Sequence, residues 1–204
     1  NFALDGFQVF LREQRPFFVE NKNIFDYEFA NGNDNLFYSR RIGRAPHGYP
    51  TINNNEHADV PRNTTILGAA KFSGKTQNGW SLGILESVTA REFAEIDDNG
   101  AKREEIVEPL TNYLVLRAQK DFNENNSYIG GIFTATNRDL DGKFKYLHKS
   151  AYTAGIDFKH QWENRNYFFE GNVVMSTVSG SAEAIEKTQR SLTHLFQRVD
   201  ASHV

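Results

Sequence analysis

The sequence predicts an all-β chain: an antiparallel up-and-down meander that forms a segment of a transmembrane β-barrel, with short periplasmic turns and long outer loops. Three observations carry the expectation. Apolar and polar residues alternate with period two along unusually long arms, the connections alternate strictly between short and long, and no run of about 18 apolar residues exists to cross a membrane as a helix.

The clearest arm is residues 151 to 162, in which Tyr152, Ala154, Ile156, Phe158, His160 and Trp162 alternate with Thr153, Gly155, Asp157, Lys159 and Gln161. After the polar turn at 163 to 166, the chain returns with Tyr167, Phe169, Gly171, Val173 and Met175 on one face and Glu170, Asn172 and Ser176 on the other. Two such arms make a long hairpin. Aromatics gather at its turn end and aliphatic residues beyond them, while the opposite face holds full charges. A soluble sandwich also alternates, but its strands average about 5 to 6 residues, whereas a tilted membrane strand needs about 9 to 11.

Taken from the beginning, residues 1 to 20 are aromatic and partly alternating, through Phe7, Phe10 and Arg15-Pro16-Phe17-Phe18-Val19-Glu20, and Pro16 marks an edge or a bend because it cannot donate to a ladder. Residues 24 to 29 and 35 to 42 read as a hairpin around 30 to 34, where Asn31-Gly32 is favoured turn chemistry. Residues 43 to 63, rich in Pro and Asn, read as an excursion loop. Residues 64 to 75 and 80 to 95 form the next hairpin across 76 to 79, with Ile66, Gly68, Ala70 and Phe72 on one face and Trp80, Leu82, Ile84 and Val88 continuing it. Glu86 falls in that apolar phase, which calls for a bulge or a covering neighbour. Residues 97 to 109 read as a charged loop. Residues 111 to 122 and 127 to 137 form a third hairpin over 123 to 126, and 138 to 150 form another loop before the long hairpin. Residues 181 to 198 read as a loop helix, with Glu183 and Glu186 near its start, Arg190 and Arg198 near its end, and Ile185, Leu192 and Phe196 as a weak stripe. The expectation is therefore one unit over residues 1 to 204, a partial barrel of about eight strands.

Without cysteine there is neither a disulfide framework nor a thiolate metal site. No signal peptide opens the sequence and no closing strand follows the helix, so the chain reads as a piece of a larger, processed protein.

Several strings together, Arg15-Pro16-Phe17-Phe18-Val19-Glu20, Phe37-Tyr38-Ser39-Arg40-Arg41-Ile42-Gly43, Gly68-Ala69-Ala70-Lys71 followed by Gly74-Lys75, and Thr134-Ala135-Thr136-Asn137-Arg138-Asp139, resemble an uncharacterised family of Gram-negative outer-membrane proteins. In that family a carbohydrate-binding, family-nine-like β-sandwich precedes a large C-terminal β-barrel, and the resemblance covers nearly all of this chain within the barrel part. It implies a bacterial outer-membrane location, contact with the lipid bilayer and lipopolysaccharide, other outer-membrane proteins as neighbours, and a sugar-binding module upstream of Asn1. It carries over no catalytic residue. The expected role is transport of, or anchoring for the handling of, carbohydrate or another polar solute. The alternatives are a membrane-anchored polysaccharide-degrading enzyme and a soluble all-β carbohydrate-binding domain.

Candidate chemistry follows from the faces. Lys71, Arg91, Arg117, Asp157, Lys159 and Glu170 lie opposite the apolar stripe and are expected to line the lumen, either holding a polar solute or pairing across strands. Arg40, Arg41 and Arg44 form a basic cluster suited to a phosphate or carboxylate, such as a lipopolysaccharide headgroup or an acidic sugar. Asn137, Asp139 and Asp141 begin like a calcium loop, but His148 stands where its bidentate Glu belongs, so an Asx-rich turn competes with calcium and no other cofactor is expected. The six histidines show no metal spacing, and His160, among apolar residues near a turn, suits an interface. Glu20, Asp26 and Glu28 would serve a glycosidase only if two faced each other across a cleft. No nucleophile elbow, phosphate loop or basic nucleic-acid stripe appears.

Overall fold

A computed structural model describes residues 12–29 and 34–191. Two single-turn helices come first, α1 (Pro16–Val19) and α2 (Lys22–Phe25), then a two-stranded ribbon of β1 (Glu28–Phe29) and β2 (Asp34–Asn35) and a 3-10 turn, Ser39–Arg41. The strands that follow are β3 (His57–Asp59), β4 (Ile66–Lys75), β5 (Trp80–Thr89), β6 (Glu92–Asp98), β7 (Ala101–Glu108), β8 (Thr111–Phe122), β9 (Ser127–Arg138), β10 (His148–Trp162) and β11 (Tyr167–Gly180), with α3 (Ala182–Gln189) last. Six of them form one antiparallel meander in the order β11-β10-β9-β8-β5-β4, with no further strand on either edge among the described residues. A separate sheet, β3-β6-β7, sits in the long connections.

The registers decide what each face of the meander carries. Phe72, Ile84, Leu116, Phe133, Ala154 and Met175 lie on one cross-strand row and Gly74, Leu82, Ala118, Gly131, Ile156 and Val173 on the next. Both rows belong to the outer face, which nothing in the described chain covers: Ile156 is 59% exposed and Val173 69%. Along β10 this face runs from Trp162 to Tyr152, ten steps that at about 3.3 Å each make about 33 Å of strand. At the turn end the band closes with aromatics, His160, Trp162 and Tyr167 stacking at 5.5 and 5.9 Å. At the other end it gives way to the polar row Asn112, Asn137, Ser150 and Ser179. Glu86 needs neither a bulge nor a cover. It pairs in continuous register at the polar rim, where Asn112 Nδ2 donates to its Oε1 at 3.1 Å.

The inner face is the covered one. The core joins Leu85, Val115 and Ile132 of the sheet to Phe18, Phe25, Tyr27 and Ile42 of the preceding segment. Expected as two wall strands, residues 24 to 42 instead cross the sheet, and only the short β1–β2 pairing survives of that hairpin; the Asn31-Gly32 turn lies outside the described residues. The cause is a pair of aromatic knobs. Tyr27 stands over Gly155, where a Cβ would lie 2.7 Å from its Cζ, and Phe25 stands over Gly83 in the same way. Burying both rings on the sheet stabilises more than extending its edge would.

Two further expectations change. The strand begun at Trp80 stops at Thr89, and residues 97 to 109 are not a loop: β6 and β7 form a hairpin across Asn99-Gly100, both at positive φ. That dipeptide is the favoured two-residue turn, so the signal was legible. The eight-strand succession thus becomes a six-stranded meander with a three-stranded cap above it. The helix begins where expected, Ser181 Oγ accepting from the Ala184 amide at 3.2 Å, and its turns end at Gln189. Leu192, Phe196 and Arg198 lie outside the described residues.

Candidate functional site

Period-two alternation places Arg117, Gln119 and Asp121 of β8 on the inner face, and they become the middle of a polar belt. Lys75 reaches from β4 to Asp121 at 2.6 Å, Gln119 donates to Asp121 at 2.8 Å, and Arg117 donates to Gln119 at 3.0 Å. On its other side Arg117 grips Asp157 of β10 with both terminal nitrogens, at 2.5 and 2.7 Å. The fork needs the space above Gly130, where a Cβ would meet Arg117 Nη1 and Asp157 Oδ1 at 2.7 Å. Arg117 is 5% and Asp157 8% exposed, so two charges are removed from water and depend on each other. Lys159 and Glu170 extend the belt at 3.0 Å.

The segment before the sheet is fastened to this belt. Tyr27 donates to the Ile156 carbonyl at 2.9 Å and lies under the Arg117 guanidinium, 5.3 Å from the ring centroid. Burial and then the neighbouring Asp157 push its phenol above the usual tyrosine value. Lys71 donates to the carbonyls of Phe17 and Glu20, holding the end of α1. Asn21 donates to Ser73 at 3.1 Å. Within the segment, Arg15 bonds Glu13, Ser39 and Ile42, a knot that ties its two ends together.

At the loop end of the inner face the cap closes on Glu108. This buried carboxylate receives the His47 amide at 2.7 Å and the His47 ring at 2.8 Å, and Tyr146 donates to the His47 carbonyl. Arg138 ends β9 beside it, donating to the His148 carbonyl at 3.0 Å. Above, Glu105 accepts from Lys143, and burial, which would raise that carboxyl, is outweighed by this and other hydrogen bonds that hold it below the usual range.

The sequence matches, over residues 1–200, the family described as Domain of unknown function (DUF5916). This chain belongs to that family. No match is found to a curated protein or to a solved structure.

Of the six residues expected in the lumen, Lys71, Arg117, Asp157, Lys159 and Glu170 do share the inner face. Arg91 does not. It follows the end of β5 and pairs with Asp139 at 2.8 Å on the exposed rim, because the strand stops two residues earlier. Arg40 of the expected anion cluster donates to the Arg12 carbonyl at 2.8 Å, whereas Arg41 and Arg44 are exposed at the loop end. The calcium candidates are spent separately: Asn137 accepts from Tyr152, Asp139 pairs with Arg91, and Asp141 caps the 3-10 turn Gly142–Phe144. Among the described residues no group of three or more His, Cys, Asp or Glu is placed to hold a metal ion. The alternation puts Gln119 inside with Arg117, but neither it nor Tyr27, Lys75, Asp121 or Arg138 stood among the expected site residues. The row Arg117, Gln119, Asp121 was readable from its spacing of two; Tyr27 carried no such mark.

Proposed function

We propose that this DUF5916 chain is part of the wall of a β-barrel in the bacterial outer membrane, and that it serves as an anchor, or a guarded passage, for a system handling carbohydrate or another polar solute. One observation carries the reading. Among the described residues the apolar face of the meander is bare along about 33 Å of strand, about 25 Å of height at the tilt of about 40° usual in a membrane barrel, with aromatics at one rim, while the charged face is the one packed against protein. A soluble sandwich would do the reverse, since a bare face of this extent exceeds what soluble monomers expose. Phe18, Phe25, Tyr27 and Ile42 pack on what would be the lumen side of the wall, which favours an occluded barrel over a wide open pore.

The two tryptophans of the chain, Trp80 and Trp162, both point outward at the turn rim, so they report on the claim directly. In vesicles, lipids brominated near the headgroup should quench both strongly and lipids brominated near the acyl terminus much less. Emission indifferent to brominated lipid, from a chain that stays monomeric without detergent, would remove the membrane reading.

A further inference from the structure

At the aromatic rim the turn between β8 and β9 and the turn between β10 and β11 stand side by side and are tied together. The Gln161 amide donates to the Asn126 carbonyl at 2.9 Å, and Arg165 Nε donates to Asn126 Oδ1 at 3.0 Å. Each turn holds three successive residues at left-handed φ, Asn123 to Asn125 between 52° and 63° and Glu163 to Arg165 between 50° and 68°. Backbone strain of this kind persists where the surroundings fix it, and it gathers at ligand sites. Between the turns lies a pocket of about 410 Å³ whose wall includes Asn123, Gln161, Trp162, Glu163, Asn164 and Arg165. Its volume falls in the range of about 300 to 1,000 Å³ usual for small-ligand sites. The charges are the informative part. Glu163 and Arg165 line one pocket two residues apart, yet among the described residues neither has an ion-pair partner, and Arg165 spends only its Nε.

We infer that this pocket holds the headgroup of a zwitterionic phospholipid with a primary ammonium, of the phosphatidylethanolamine kind. A pocket that carries one free charge of each sign complements a ligand that carries both. The terminal nitrogens of Arg165 take two oxygens of the phosphodiester, and the Glu163 carboxylate accepts from the ammonium. The carboxamides of Asn123 and Asn164 supply neutral donors and acceptors beside them. An anionic headgroup without an ammonium satisfies Arg165 but is repelled by Glu163, which is the basis of selection. The inference rests on the proposed membrane setting, in which Trp162, stacked with His160 and Tyr167, lies at the level of the headgroups.

The test is tryptophan quenching in phosphatidylglycerol vesicles that contain a small fixed fraction of brominated lipid, either phosphatidylethanolamine or phosphatidylglycerol. In the full chain, W80F leaves Trp162 as the only reporter and W162F leaves Trp80, three strands away along the rim. Brominated phosphatidylethanolamine should quench Trp162 about threefold more than brominated phosphatidylglycerol, the scale of one exposed ion pair. Trp80 should not distinguish the two. E163Q and R165Q, both at exposed turn positions, should each remove the preference at Trp162. Equal quenching of Trp162 by the two lipids, or a preference that survives E163Q, overturns the site and leaves the membrane reading standing. No quenching by either lipid overturns both. Loss of the preference on adding soluble glycerophosphoethanolamine at the same concentration would make the site one for a soluble zwitterion and overturn the assignment to lipid.

Discussion

Placing a methyl group at position 155 tests how the N-terminal segment is held against the sheet. The added Cβ would sit 2.7 Å from Tyr27 Cζ, 2.8 Å from its hydroxyl and 3.1 Å from Cε2, where carbon atoms normally keep about 3.5 to 4.0 Å. Tyr27 cannot swing away freely, being 1% exposed and bonded to the Ile156 carbonyl. Overpacking of this kind costs about 1 to 3 kcal/mol. Glycine in a strand is itself worse than alanine by about 0.5 to 1 kcal/mol, so G155A alone should destabilise by a net of about 0.5 to 2 kcal/mol. Removing the ring reverses the sign. Y27A alone should cost about 3 to 5 kcal/mol through the cavity it leaves, but in that background G155A should stabilise by about 0.5 to 1 kcal/mol. The double-mutant cycle, read from urea unfolding of the reconstituted chain, should therefore show a coupling of about 1 to 3 kcal/mol between the two positions. Additivity within about 0.5 kcal/mol would refute the knob-and-socket reasoning.

Three other perturbations probe the belt, the knot and the turns. R117M should destabilise by about 3 to 5 kcal/mol because it strands the buried Asp157, whereas R117M with D157L should come close to neutral; equal losses in the two unfolding curves would deny that the charges depend on each other. At Glu13, burial raises the carboxyl, but hydrogen bonds from Arg15 and Ser39 outweigh it and lower the value from 4.5 to about 2. A depressed value means that the contribution is complete above pH 4.5 and is lost as pH falls toward 2, so amide protection of the segment should drop across that window in the wild type and not in E13Q. In the turn after β8, Glu124 holds a φ of 54°, a left-handed conformation costing a non-glycine residue about 1 to 2 kcal/mol. E124G should raise unfolding stability by about 1 kcal/mol, and a decrease would show that the Glu side chain contributes something the backbone argument omits.

The parts of the fold legible in the sequence are those where one periodicity governs both faces. The arms from Thr111 to Phe122 and from Tyr167 onward have only two environments to satisfy, and their alternation reports both. Residues 24 to 42 were not legible, because Phe25 and Tyr27 also alternate and a two-residue rhythm cannot distinguish a strand in the wall from rings dropping into glycine sockets across it. Five of the six expected lumen residues shared a face for the same reason that the strands were found. Arg91 failed because its place depends on where β5 ends, which Ala90 and Arg91 do not announce. Arg138 was invisible for another reason: its partner is the His148 carbonyl and its neighbour Glu108 is bonded to His47, 61 residues away in sequence, contacts that no local rhythm marks.

The proposed function requires the apolar face of the meander to meet lipid, and the absence of cysteine from the chain makes that measurable residue by residue. Single cysteines at positions 153, 154, 156, 158, 159 and 161 can carry a nitroxide, and the reconstituted protein can be read for collision with dissolved oxygen, which enters the bilayer, and with a nickel chelate, which does not. Oxygen should dominate at 154, 156 and 158 and the chelate, or neither reagent, at 153, 159 and 161, giving a period of two along β10. A flat profile, or chelate access strongest at 156 and 158, would contradict the account.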